Sequence, residues 1–156
     1  MKKVILFITA FVFSSPLFAQ QLEKINRETA IDEMKKTDIE FSDCSQKEGI
    51  AKAFIKYAGE DVILMRDKMF PILGIESLTE FYNDHSTENL SLKWEPIKAD
   101  AAESGEFGFT FGNWELTTKD TVMHGNYVSI WKKNSDGEWK YLLDGGNTTP
   151  GVWKPL

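Results

Sequence analysis

Three segments in the second half of the chain decide the fold. Residues 105–114 read GEFGFTFGNW, residues 125–133 read GNYVSIWKK and residues 136–144 read DGEWKYLLD. In each segment aromatic or aliphatic side chains fall on alternate positions, which is typical of a β-strand. The turn sequences Ser104–Gly105 and Asn134–Gly137 separate such runs by the few residues that a hairpin needs. We therefore predict a meander of long antiparallel strands.

The strand that precedes these segments changes its phase at a proline. Leu92 and Trp94 alternate with polar residues, and beyond Pro96 the apolar positions move to Ile97 and Ala99. A slip of one residue predicts a β-bulge, which bends the strand. A bulged sheet with paired glycines is strongly curved, and a curved sheet folded over helices encloses a cavity.

The first half of the exported chain is predicted to be mainly helical. Its apolar residues recur at helical spacing, and Gly59 is predicted to end the second helix as a C-cap. Because helices and strands are segregated along the chain, the fold class is α+β. The predicted elements are helices over 22–43, 46–57 and 76–84, and short strands over 62–65 and 69–74.

The first 19 residues have the layout of a secretory signal peptide. Two lysines precede an apolar run over residues 4–13, Pro16 breaks that run, and Ala19 is a small residue at the cleavage position. The run is shorter than the roughly 20 residues that span a bilayer. We predict a bacterial periplasmic or secreted protein, with residues 20–150 as its single domain, residues 151–156 as a tail and no membrane contact after cleavage.

The composition argues against several classes of function. The 156 residues carry 18 basic and 24 acidic side chains, a net charge of −6, whereas nucleic-acid binding requires a basic surface. Cys44 is the only cysteine, which excludes a disulfide scaffold and a thiolate zinc site. The only histidines, His85 and His124, lack metal-ligand spacing, and nucleotide-binding and serine-hydrolase motifs are absent. We predict no metal and no cofactor.

Together with Tyr57–Val62 and the helix that opens at Gly74–Glu76, the strand segments resemble the nuclear transport factor 2-like superfamily. Within it, the closest resemblance is to the exported branch related to SnoaL-like polyketide cyclases and ketosteroid isomerase. The resemblance covers about Ile25 to Pro150. It implies a cone-shaped, mainly antiparallel sheet wrapped around three N-terminal helices, a pocket at the wide end and, often, a dimer.

The resemblance does not extend to the catalytic groups of ketosteroid isomerase. That enzyme uses an aspartate base and an oxyanion hole made of a tyrosine and a protonated aspartate. Here the early strand ends at Met65 and Arg66, and Asp67 offers a carboxylate only if the strand is longer than predicted. Val128 and Ser129 stand near the position of the protonated aspartate. We therefore expect no isomerase activity of the ketosteroid isomerase type.

Five residues are predicted to contact a ligand: Arg66, Trp94, Phe109, Trp114 and Tyr127. For the four aromatic residues, ordinary core packing is the alternative interpretation. Arg66 either binds a ligand carboxylate with two hydrogen bonds or forms a salt bridge at the rim, and the candidate partners for that bridge are Glu60, Asp67 and Glu76.

Two residues are candidates for catalytic proton transfer. The imidazole of His124 would suit a general base, whereas an exposed or hydrogen-bonded histidine at a strand start is the plainer interpretation. Asp144 ends an apolar strand, where a carboxyl among aromatic residues would act as an acid or base, or else it caps the turn at Gly145 and Gly146. His85, which follows a helix, is a weaker candidate.

Three functions remain open on the sequence alone. The first is a binding module for a small apolar or amphipathic molecule, and the second is an isomerase, cyclase or hydrolase that uses His124 or Asp144. The third is an interaction protein whose outer sheet face binds either a partner or a second copy of the chain, and we predict a homodimer through this face. Phe107, Phe109 and Phe111 share one face of their strand, and the sequence does not determine which face lines the cone.

Overall fold

The fold is described from a computed structural model, which covers the backbone of residues 16–154 and the side chains of residues 26–154. It confirms the α+β class and the predicted order of the elements. The elements are α1 (Pro16–Glu48), α2 (Ile50–Tyr57), β1 (Ala58–Leu64), β2 (Ile72–Leu73), α3 (Gly74–Asp84), β3 (Ser91–Ala101), β4 (Phe107–Thr117), β5 (Val122–Lys133) and β6 (Trp139–Thr149).

The strands of the described residues form one open, mixed sheet in the order β2-β1-β6-β5-β4-β3. Only β1 and β6 pair in parallel, and the other neighbours are antiparallel. The predicted meander of β3 to β6 is therefore confirmed. The helices lie against one face of the sheet, as the predicted cone requires.

The two N-terminal helices meet at Gly49, so the predicted boundary beyond residue 43 was wrong. Gly49 has a φ of 93°, a left-handed conformation that disfavours any residue with a Cβ. The prediction for Gly59 was also wrong, because this residue lies in β1. The second helix ends at Tyr57, and Ala58 is already extended where it pairs with Tyr141 of β6.

The bulge at the proline is confirmed. In the pairing of β3 with β4 the register shifts between Pro96 and Lys98, so Ile97 is the additional residue. The turn predictions also hold, since Gly105 and Gly137 have φ values of 74° and 80°. These features bend the sheet over the helices and leave a space at the wide end.

The sheet has a clear inner face and a clear outer face. On the inner face Thr110, Ser129 and Trp131 are almost fully buried. Phe109 and Phe111 alternate with these buried positions, so they lie on the outer face. The core centres on Phe41 of α1, and its aromatic neighbours there are Phe54, Tyr57, Trp94, Trp131 and Tyr141.

The predicted signal peptide and the predicted tail lie at the two ends of the chain. The signal-peptide prediction falls mostly on residues 1–15, which lie outside the described residues. At the other end, Trp153 packs edge-on against Phe111, and its carbonyl accepts a hydrogen bond from Asn113 at 2.8 Å. The predicted tail thus returns to the outer face of the sheet. Within residues 16–154, every helix is too short or too polar to cross a membrane.

Candidate functional site

A cavity of about 580 Å³ lies at the wide end of the cone. This volume falls within the range of about 300–1,000 Å³ that small-molecule sites occupy. The cavity lies between α2, the segment after β1 and the inner faces of β3 to β6. Its apolar lining is Phe54, Leu92, Trp94, Trp114, Leu116 and Met123.

The strand register brings the aromatic lining together. Trp94 of β3 pairs directly with Trp114 of β4, so both indole rings lie on the inner face ahead of the bulge. Trp114 donates a hydrogen bond through its Nε1 to the carbonyl of Asn126 at 3.1 Å, which fixes its ring across β5. A Cβ at Gly125 of β5 would collide with the Trp114 ring. Tyr127 lies two residues further along the same strand. The wall is therefore built from neighbouring strands and not from a mobile loop.

The opposite end of the cavity is polar and contains an ion pair. Arg66 Nη1 donates to Asp144 Oδ1 at 3.1 Å, and the Ser129 hydroxyl donates to Asp144 Oδ2 at 2.7 Å. Both oxygens of this carboxylate thus have a donor. Asp144 is only 6% exposed, although it still borders the cavity.

Arg66 is held by further contacts. Its Nη1 also donates to the carbonyl of Met65 at 3.1 Å, and its guanidinium carbon lies 4.9 Å above the centre of the Phe54 ring. Burial acts to lower the pKa of Arg66, but Asp144 and the Tyr82 hydroxyl outweigh this and raise it. Burial also raises the pKa of Tyr82 to about 12. Arg66 is therefore a fixed cation at the cavity wall.

A second buried carboxylate, Asp38, lies behind the aromatic wall. Tyr127 donates its hydroxyl to Asp38 Oδ2 at 2.6 Å, and Trp94 donates its Nε1 to Asp38 Oδ1 at 2.7 Å. The Thr110 hydroxyl also bonds to Asp38 and accepts the Nε1 proton of Trp131 at 2.8 Å. One side chain of α1 thus joins the helix to three strands and positions two aromatic residues of the cavity.

Burial raises the pKa of Asp38 to about 6, although its three donors act to lower it. Burial also raises the pKa of Tyr127, and the neighbouring carboxylate of Asp38 adds to the effect. We did not single out Asp38 from the sequence. The available signal was its spacing, because Asp38 falls four residues after Met34 and three before Phe41, on the apolar face of α1.

Four of the five predicted ligand contacts lie at the cavity, namely Arg66, Trp94, Trp114 and Tyr127. Phe109 does not, because it lies on the outer face of β4 and outside the cavity lining. The ligand contact of Arg66 stays a prediction, whereas the predicted salt bridge at the rim is replaced by a different ion pair. Its ion pair is with Asp144 at the cavity, and not with Glu60, Asp67 or Glu76 at the rim.

The two candidates for proton transfer are not brought together. Asp144 borders the cavity, whereas His124 pairs with Glu115 on the outer face, its Nδ1 3.8 Å from Glu115 Oε2. His85 lies at the end of α3, and its Nδ1 is 2.8 Å from the carbonyl of Phe81. In the described part of the chain no three side chains of His, Cys, Asp or Glu are clustered so as to hold a metal ion.

Comparison with known proteins decides the fold. The sequence matches no protein-family model and no curated protein. An NTF2-like protein with a cystatin-like fold from Novosphingobium aromaticivorans is similar in structure, with a TM-score of 0.64, 11% identity and coverage of 90% of this chain and 94% of that chain. The chain has the nuclear transport factor 2-like fold.

Two further structures with the nuclear transport factor 2-like fold carry functional names. A ketosteroid isomerase-like protein from Erwinia carotovora atroseptica has a TM-score of 0.61 at 16% identity, over 75% of this chain and 95% of that chain. An LEH-like epoxide hydrolase from M. tuberculosis has a TM-score of 0.54 at 11% identity, over 79% and 80%. At these identities the likeness concerns the fold alone, so function must be argued from the cavity.

Proposed function

We propose that this protein is an exported binding protein for a small apolar or amphipathic molecule. The observation that carries this proposal is the cavity of about 580 Å³, which has an aromatic wall at one end and an ion pair at the other. Small-molecule sites combine mostly apolar linings with a few placed polar groups, and this cavity has that composition. The buried aromatic cluster behind it gives the wall a rigid support.

The layout of the cavity supports a ligand with two unlike ends. Trp94, Trp114 and Leu116 would contact its hydrocarbon body, and Arg66 would contact a polar group at the other end. Met65 and Met123 also line the cavity and are 40% and 36% exposed, so they mark its opening to solvent. Flexible methionine side chains at an opening adapt to ligands of different shape.

Binding is better supported than proton transfer between the two candidate residues. His124 and Asp144 occupy opposite faces of the sheet, and a general base must lie within a hydrogen bond or one water of its target. Asp144 is the one candidate that borders the cavity, and its oxygens already accept bonds from Arg66 and Ser129. We therefore assign Asp144 to the polar end of a binding site.

The proposal is tested by filling the cavity. Leu116→Trp adds an indole to the apolar lining, so we expect the affinity for the neutral fluorescent dye Nile red to fall at least tenfold. Titration of the dye, followed by its own emission and by that of the protein tryptophans, measures the change. The matched control is Leu90→Trp, because Leu90 is 36% exposed and lies outside the cavity lining.

Two results would contradict a binding function. In the first, the wild-type protein binds neither Nile red nor other apolar probes, although it is folded. In the second, Leu116→Trp and Leu90→Trp bind the dye equally well, which would mean that the dye occupies a surface site elsewhere.

We also propose that two copies associate through the outer face of the sheet. Phe107 on this face is 42% exposed, and Phe109 and Phe111 continue the apolar stripe. Along the edge strand β3 the outward positions alternate in charge, since Lys93, Glu95, Lys98 and Asp100 follow one another. In a dimer with two-fold symmetry, the row of one copy lies against the same row of the other copy, so that positive side chains face negative ones. A second copy of the chain therefore fits this surface better than a uniformly acidic or uniformly basic partner.

Sedimentation or light scattering of the purified protein tests this association. We expect a dimer for the wild type and a monomer for Phe107→Glu, because a charge in an apolar interface leaves a buried, unpaired group. Phe70→Glu is the matched control, since Phe70 is 94% exposed in the segment between β1 and β2. A monomeric wild type at high concentration would rule out the dimer.

Export is proposed from the sequence of the first 19 residues. Cleavage after Ala19 would remove only the first four residues of α1, and the buried core begins later, at Ala30. N-terminal sequencing of the protein from the periplasm or medium of a bacterial host is expected to begin at Gln20. Recovery of the full-length chain only from the cytoplasm would contradict this proposal.

A further inference from the structure

The polar end of the cavity contains a cation whose charge is already balanced. Arg66 and Asp144 form an ion pair at 3.1 Å, and the Ser129 hydroxyl holds the second carboxylate oxygen. The two charges of the pair cancel for a group that approaches from the cavity. Asp67, which also borders the cavity, adds a negative charge at the exposed rim.

The guanidinium of Arg66 nevertheless retains donors for a ligand. The bonds to Met65 and Asp144 both leave from Nη1, and the Tyr82 hydroxyl is a further partner, so these contacts use only part of the five N–H groups of the guanidinium. The side chain is 31% exposed and lines the cavity, with its guanidinium carbon 4.9 Å from the centre of the Phe54 ring. It therefore offers hydrogen bonds to an oxygen acceptor without offering a net positive field.

We infer that the ligand is an uncharged amphipathic molecule with an oxygen acceptor at one end, such as an alcohol, ketone or amide, and that Asp144 makes the site reject carboxylates. This inference rests on the proposed binding function and names its ligand class. At Arg66, the attraction of the guanidinium for a ligand carboxylate would be offset by the repulsion from Asp144, so the carboxylate would lose its hydration in a partly desolvated site without a net electrostatic gain. A ligand cation would meet the guanidinium first, which disfavours it for the same reason.

Two matched probes test the inference. 1-Pyrenebutanol and 1-pyrenebutyrate share one hydrocarbon body and differ only in the head group, and each is titrated near neutral pH by fluorescence. For the wild type we expect the alcohol to bind at least tenfold more tightly than the carboxylate. Asp144→Asn leaves the charge of Arg66 unbalanced, so the preference should disappear or reverse.

Two further variants keep the result interpretable. Asp84→Asn removes the same charge from the end of α3, away from the cavity, and should leave the preference unchanged. Arg66→Gln, which serves if Asp144→Asn does not fold, replaces the long guanidinium by a shorter, uncharged amide that does not reach the same position. It should weaken binding of the alcohol several-fold and leave the carboxylate disfavoured, because Asp144 is then uncompensated.

The outcomes separate the ligand class from the binding function. Binding of neither probe would remove the proposed function itself. Binding of the carboxylate as tightly as the alcohol by the wild type would overturn the inference and leave the binding function in place. A preference that persists unchanged in folded Asp144→Asn, or alcohol binding that is unaffected in Arg66→Gln, would also overturn it.

Discussion

Asp38 lies behind the aromatic wall of the cavity and Asp144 lies at its polar end, and the surroundings of these two buried carboxylates differ. Asp38 is fully buried and accepts bonds from neutral donors, the hydroxyls of Tyr127 and Thr110 and the indole of Trp94. Asp144 is bonded to a cation and a hydroxyl and borders the cavity. Neutral donors offset only part of the free-energy cost of burying a carboxylate charge, whereas a neighbouring cation offsets more of it.

This difference separates two tasks. Asp38 joins α1 to β3, β4 and β5, so its role is to hold the aromatic wall in position. Asp144 sets the charge that a ligand meets at the polar end of the cavity. Substitutions at Asp38 should therefore act first on stability, and substitutions at Asp144 on ligand preference.

The largest effect is expected for Asp38→Ala. The substitution leaves Trp94, Tyr127 and Thr110 without their acceptor and opens a small void, which we expect to cost about 3–4 kcal/mol of unfolding free energy. Urea denaturation measures the loss. Asp43→Ala on the same helix is the control, because its side chain is 61% exposed and its pair with Lys47 is a surface contact. A loss in the control similar to that of Asp38→Ala would contradict the assigned role.

The second prediction concerns the pH dependence of stability. The pKa of Asp38 is raised from 3.8 in the unfolded chain to about 6 in the folded protein, so the folded state binds the proton more tightly. Its stabilising contribution is fully present below about pH 4 and is lost as the pH rises through 6. The loss approaches about 3 kcal/mol.

Asp38→Asn isolates this contribution, since asparagine keeps the shape but does not titrate. Unfolding free energies of wild type and variant are compared between pH 4 and pH 7.5, and their difference should change in favour of the variant as the pH rises. Other carboxylates contribute equally to both proteins and cancel. A difference that stays constant with pH would show that Asp38 does not titrate in this range.

The third prediction compares one hydroxyl at each carboxylate. Tyr127→Phe removes a donor that lowers the pKa of Asp38, so it should cost about 1–2 kcal/mol and move the pH dependence of stability to higher pH. Ser129→Ala should cost a similar amount, but it leaves the contacts of Asp38 intact. The same pH dependence in both variants would indicate that Tyr127 does not control the titration of Asp38.

Much of this architecture follows from local patterns in the sequence. The bulge after Pro96, the turns at Gly105 and Gly137 and the meander of strands follow from side-chain alternation and backbone chemistry within a few residues. Two local predictions failed: the first helix was predicted to end near residue 43 and ends at Glu48, and Gly59 was predicted to cap the second helix and lies in β1. The deciding contact, the pairing of Ala58 with Tyr141, joins residues far apart in the chain.

The site was less accessible to sequence reasoning for the same physical reason. The alternation of Phe107, Phe109 and Phe111 predicts two faces, but α1 determines which of them is inside. Phe109 was therefore placed among the ligand contacts and lies on the outer face. The partner of Arg66 is 78 residues away, and the contacts of Asp38 span three strands, so neither appears as a motif.

The smallest expected effect is at Glu33, an exposed carboxylate that also joins α1 to the sheet. Glu33 Oε2 lies 2.6 Å from Lys133 Nζ and 3.2 Å from Trp139 Nε1, and its side chain is 45% exposed. The hydrogen bond from Lys133 lowers its pKa. The sign is therefore opposite to that of Asp38: the contribution is present above about pH 4.5 and is lost as the pH falls.

Glu33→Gln should cost less than about 1 kcal/mol at neutral pH, because a solvated ion pair gains little over its interactions with water. The cost should shrink further in 0.5 M salt and vanish in acid, whereas the effect of Asp38→Asn should persist in salt because Asp38 is shielded from ions. Unfolding at low and high salt, at pH 3.5 and pH 7, measures both variants together. The opposite result would be a loss of unfolding free energy in Glu33→Gln that is as large and as insensitive to salt as the loss in Asp38→Asn. In that case solvent exposure would not explain why Glu33 and Asp38 contribute differently to stability.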